Sequence, residues 1–155
     1  MIPPMICIVG KIKTSRVRLM EGLIRELRTR GFRVGVLKHH KHGDFEIDIE
    51  GKDSWKYTKA GADTVAISSP LKFAVIKNVK GEINIDEILE TCFQDMDIVL
   101  ADGFALSDKP RIIIVESEED RVIFEMGRDV VAVAGRQDMN DPAGIAERIL
   151  EFSGI

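Results

Sequence analysis

The sequence predicts an α/β fold in which a mostly parallel central sheet carries helices on both faces, a three-layer sandwich. Three observations predict it. Short runs with apolar centres recur at Met5–Val9, 97–101, 111–115 and Val130–Ala134, as strands buried on both faces do. Amphipathic helical patterns alternate with them, which implies a sheet covered on both sides. The stretch from Met5 to Leu37 makes one complete strand–loop–helix–strand unit, the crossover that joins parallel neighbours.

The elements follow in order. Met5–Val9 is the first strand and ends at Gly10. A helix is expected to begin about five residues later. Val17, Met20, Leu23, Ile24 and Leu27 mark its apolar stripe, and Gly31 closes it. Residues 32–37 form the second strand, and 39–51 are polar and aperiodic, hence a loop. Residues 54–60 read as a helix ending at Gly61, and 64–67 and 73–76 as strands around a turn at Ser68-Ser69-Pro70. Residues 86–93 read as a helix with Ile88, Leu89 and Cys92 facing inward. The strand at 97–101 runs into Asp102-Gly103. Val122 to Phe124 is a weaker strand candidate. Pro142 opens the last helix, whose inner face is Ala143, Ile145, Ala146, Ile149 and Leu150.

At 155 residues, 45% apolar and 31% charged, the chain fits one domain spanning 1–155. No apolar run approaches the roughly 20 residues that span a bilayer. The apolar start lacks the basic flank and small-residue cleavage site of a signal peptide. Cys7 and Cys92 are expected as buried, reduced thiols in a cytoplasmic protein. The net charge of −4 hides an uneven spread: between Lys11 and His42 ten lysines and arginines face only Glu21 and Glu26. That pattern suggests a local anionic partner rather than bulk nucleic-acid binding, or else a solvated helix face.

The loop after Gly10 sits where a phosphate-binding loop begins. In the pattern G-x-x-x-x-G-K-[ST], backbone amides wrap phosphate, the lysine reaches its oxygens and the hydroxyl holds Mg²⁺. Counting from Gly10, through Lys11, Lys13 and Thr14, the last three positions are Ser15, Arg16 and Val17. Ser15 replaces a glycine and limits the backbone. Arg16 keeps the charge but is not equivalent to lysine. Val17 offers no oxygen to a metal. In a shortened alternative, Lys13-Thr14-Ser15 imitates the lysine–hydroxyl pair, at the expense of an early helix start. The plain alternative is a βα turn that happens to be basic.

The next informative stretch is Lys38-His39-His40-Lys41-His42, then Asp48 and Gly51-Lys52-Asp53-Ser54-Trp55. A metal site is disfavoured, because the histidines are adjacent in a loop and no cysteine joins them. Phosphate binding by Lys38, Lys52 and a protonated histidine fits better. Asp53 or Ser54 is placed to cap a helix.

With these segments in view, the chain resembles the molybdopterin-guanine dinucleotide biosynthesis protein B (MobB) family. The likeness rests on Arg30-Gly31-Phe32-Arg33-Val34-Gly35-Val36-Leu37-Lys38-His39, on Gly51 to Trp55, on Ala60-Gly61-Ala62-Asp63, and on Asp97 through Phe104 with Pro110-Arg111-Ile112. The resemblance implies a P-loop NTPase-like fold, a homodimer, and GTP with Mg²⁺ as cofactors. It implies an accessory role to the guanylyltransferase that attaches GMP to molybdenum cofactor, with molybdopterin as a further partner and at most weak GTPase activity. Asp102 then matches the acidic strand end that holds a Mg²⁺-bound water, as catalytic and metal residue. Gly10, Lys11, Lys13, Thr14, Ser15, Arg16 and Val17 match the phosphate loop, and Lys38, His39, Asp48, Lys52 and Asp53 the rim. The alternative is a non-hydrolysing pseudo-NTPase adaptor that binds pterin cofactor or the transferase. A small-molecule kinase would need a phosphate clamp and an acceptor site, and the sequence provides neither.

Overall fold

The computed structural model describes residues 1–155. The chain divides into two compact units: residues 1–39 with 85–155, and residues 40–84. No helix is long and apolar enough to cross a membrane.

The first unit holds a five-stranded sheet. Its strands are β1 (Met5–Val9), β2 (Val34–Lys38), β5 (Ile98–Asp102), β6 (Arg111–Ile114) and β7 (Val130–Ala134), in the order β2-β5-β1-β6-β7. Every pairing is parallel. All residues of β1, β5 and β6 are buried, which is why their sequences are continuous rather than alternating. One side of the sheet carries Ile6, Ile8, Leu100, Ile112 and Ile114 against Leu19, Leu23 and Leu27 of α1 (Lys13–Thr29) and Ile145 and Ile149 of α5 (Ala143–Ser153). The other carries Met5, Cys7, Val99 and Ile113 against Leu89 and Phe93 at α3 (Ile85–Cys92) and Phe124 of α4 (Glu118–Glu125). The result is the expected three-layer α/β sandwich.

Gly35 in β2 explains how closely α3 approaches. A Cβ there would lie 2.5 Å from the Phe93 ring, so only glycine lets the aromatic side chain rest on the strand. Gly31 has φ +93° just past the end of α1, the left-handed position the sequence assigned to it.

The second unit contains α2 (Asp53–Lys59) and an antiparallel hairpin of β3 (Thr64–Ser68) and β4 (Phe73–Lys77), in register Val65 to Ile76 and Ile67 to Ala74. Phe73 and Val75 sit on one face of β4, and both are exposed.

Three expectations are corrected. Helix α1 starts at Lys13, three residues after Gly10 rather than about five. Lys13, Thr14 and Ser15 have no glycine among them to hold a non-helical loop, so they join the helix. The stretch around Val122 is α4, not a strand. Asp120 accepts the amides of Glu116 and Ser117 at 2.8 and 2.9 Å, and this nucleates a helix turn that overrides the β-branched propensity of Val122-Ile123. Cys92 is exposed, while Cys7 is buried; burial pushes the Cys7 thiol up from its ordinary pKa.

Candidate functional site

The carboxyl ends of β1, β5 and β2 bring together Gly10, Asp102, Lys38 and His39. The sequence placed its site there, and ligands of open parallel sheets bind at such ends. Lys38 pairs in register with Asp102 across β2 and β5. The amide of His39 donates to the Asp102 carbonyl at 3.1 Å. The His39 ring lies 4.8 Å from the Phe104 ring. Gly103 and Phe104 both have positive φ, +97° and +60°. For phenylalanine that is a strained backbone, held here by the stacked ring and the apolar contacts beneath it.

The first loop is closed by its own side chains. Arg16, on the first turns of α1, donates from Nε to Asp102 Oδ1 at 2.8 Å and from Nη1 to the Gly10 carbonyl at 2.8 Å. This ion pair is mostly buried, with the side chains 21% and 11% exposed. Lys11 Nζ lies 3.0 Å from Asp120 Oδ1. The Ser15 hydroxyl donates to Glu116 Oε1 at 2.7 Å. Asp120 is almost fully buried. The amides of Glu116 and Ser117 and the Lys11 ammonium hold its carboxyl well below the usual carboxylate range, so it stays ionised.

These residues do not fit Mg²⁺-bound nucleotide. No residue from Gly10 to Val17 has a positive φ, so the alternating backbone that gathers amides into an anion nest is missing. Val17 supplies no oxygen and is exposed. One carboxylate oxygen of Asp102, Oδ1, is engaged by a guanidinium. Lys13 and Thr14 are exposed on the first turn of α1. Helix α1 does start early, as the shortened-loop pattern requires, so the objection to that pattern from an early helix start fails. Gly10 is closely packed: a Cβ there would sit 3.0 Å from Ile114 Cβ.

The remaining rim residues fall in the second unit. There Asp48 Oδ1 accepts from the Ser54 hydroxyl at 3.1 Å and the Ile49 amide at 2.8 Å, and Asp53 Oδ1 accepts from the Ser54 amide at 2.8 Å. Lys52 occupies the N-cap of α2 without a side-chain cap. Asp48 and Asp53 thus organise the start of a helix whose Ser54 is buried. His40 meets Asp44 at 3.1 Å, and no group of three metal-ligating side chains forms.

Sequence reasoning missed four residues here. Glu116 and Asp120 lie in the acidic run Glu116-Ser117-Glu118-Glu119-Asp120. Serine followed three residues later by an acid was the available signal of a helix start. Arg111 is fully buried and donates to the carbonyls of Ala105, Phe124 and Ser107 at 2.9, 3.1 and 2.7 Å. Arg128 adds bonds to Ser107 and Leu106. The two guanidinium groups therefore pin the loop that follows Asp102. Burial lowers the pKa of Arg111, yet carbonyl acceptors satisfy much of its fork.

The family model for molybdopterin guanine dinucleotide synthesis protein B matches residues 5–136. The chain belongs to the MobB family. A molybdopterin-guanine dinucleotide biosynthesis adapter protein of Haemophilus influenzae is 30% identical over 98% of this chain and 83% of its own length. The Escherichia coli adapter protein is 28% identical over 96% and 93%. Among solved structures, a crystal structure of molybdopterin-guanine biosynthesis protein B superposes with a TM-score of 0.80 at 31% identity, covering 97% of this chain and 99% of that one. Bacillus subtilis MobB superposes at 0.76 with 23% identity, covering 96% of each, and supports the shared fold. The P-loop NTPase-like architecture expected from the sequence is therefore present.

Proposed function

We propose that this protein is a cytoplasmic adapter in molybdopterin-guanine dinucleotide synthesis that assists the guanylyltransferase by contact and does not hydrolyse GTP. The adapter role is carried over from the printed names of its relatives. The observation that carries the non-hydrolysing part is the Arg16–Asp102 ion pair, with Arg16 also bonded to the Gly10 carbonyl. It joins the positions from which a lysine and a metal-binding acid would act on phosphate. Of the two nucleotide readings, the pseudo-NTPase adaptor is the better supported, and GTP with Mg²⁺ belongs to the transferase reaction that the protein assists. Molybdopterin is reached through that transferase.

A homodimer is part of the same reading. It is supported by the exposed face of the β3–β4 hairpin, where Phe73 and Val75 stand in a row beside two unpaired strand edges.

The reading is tested in a guanylylation assay with purified transferase. Addition of this protein is expected to raise product formation, with no phosphate released from GTP in its absence or presence. Phosphate release by the protein alone, lost in Arg16→Ala, would overturn the reading.

A further inference from the structure

We propose that residues 116–120 act as an internal anionic ligand of the first loop, a strap whose carboxylates take the place that polyphosphate would need. The inference rests on the non-hydrolysing reading above and names what keeps the loop closed. Glu116 of the β6–α4 connection and Asp120 in the first turn of α4 reach across to the β1–α1 connection and the first turn of α1. Asp120 takes the Lys11 ammonium at 3.0 Å and Glu116 takes the Ser15 hydroxyl at 2.7 Å. Asp102 takes Arg16 from the next strand end. Lys11 and Arg16 thus each have a carboxylate of the same chain as partner, and a polyanion would have to displace those carboxylates to reach them.

The strap is built rather than incidental. Asp120 is 2% exposed, and its second oxygen is fixed by the amides of Glu116 and Ser117. Its position is therefore set by the start of α4, and Lys11 comes to it. A surface ion pair held by two flexible side chains would not have this preorganisation. Lys11 and Ser15 lie on either side of the start of α1, where helix amides and the macrodipole favour negative charge. The protein supplies that charge from its own chain.

Amide hydrogen exchange of residues 10–16, with and without inorganic tripolyphosphate, tests the strap. The natural protein is expected to exchange slowly there and to be unmoved by tripolyphosphate. Glu116→Ala removes the acceptor of the Ser15 hydroxyl and leaves Asp120 and the start of α4 in place. Lys11→Met breaks the other contact without touching α4. Each is expected to speed exchange in this segment by ~10-fold. Glu116→Ala, which keeps Lys11, is expected to regain protection when tripolyphosphate is added, whereas Lys11→Met is not.

Unchanged exchange in both variants would overturn the strap, as would slowing of the natural protein by tripolyphosphate. The non-hydrolysing reading would survive the first of these results. It fails separately, if the natural protein releases phosphate from GTP.

Discussion

Arg16 reaches back from the first turns of α1 to the Gly10 carbonyl and across to Asp102. Removing it leaves a carboxylate that is 9% exposed without its partner. Arg16→Ala is expected to destabilise the protein by about 1–3 kcal/mol, read by urea denaturation. Arg16→Lys keeps the charge but cannot fork, and it should fall between the two. Asp120 makes a second, pH-dependent prediction. Its folded pKa lies below the unfolded value near 3.9, so its contribution is fully present above about pH 5. That contribution is lost as the pH falls through the lower folded value. Asp120→Asn should flatten the acid limb of a stability–pH curve, and an unchanged limb would refute the coupling. None of these partnerships was legible in the residues alone. Arg16 looked like a substitute for lysine because sequence reports charge, not which oxygen a guanidinium reaches. The reach depends on β1 and β5 being neighbours, a pairing between strands far apart in the chain.

At the scale of the element, strongly patterned segments were readable and competing signals were not. β1, β5, β6 and β7 announced themselves through apolar runs, and α1 and α5 through apolar stripes, the first closed by Gly31 and the second opened by Pro142. The start of α1 was misplaced because the spacing of a phosphate loop suggested a longer turn, whereas Lys13-Thr14-Ser15 contains nothing that opposes helix. Helix α4 was misread because an apolar triplet outweighed the capping signal before it. Packing between elements leaves its own trace at Gly35, where α3 sets Phe93 against the strand. Gly35→Ala is expected to cost about 1–3 kcal/mol through overpacking, measured by thermal unfolding. A loss near zero would mean that the aromatic ring can withdraw freely.

On the proposed reading, the whole molecule combines a fold suited to nucleotides with a site that is closed to them. The sheet order, the switch of chain direction around β1 and the ends of β5 and β2 provide the location. Arg16, Lys11 and Ser15 then turn inward to acids of the same chain. The overall fold was legible because alternating strands and helices admit few topologies. The state of the site was not, because it depends on which long-range partners satisfy each polar group. Calorimetric titration of the purified protein with GTP, with and without Mg²⁺, tests the account most directly. No binding heat is expected under either condition at millimolar nucleotide, while Arg16→Lys combined with Val17→Thr restores the lysine and hydroxyl chemistry and is expected to gain Mg²⁺-dependent heat. Mg²⁺-dependent, micromolar binding of GTP by the natural protein would contradict it.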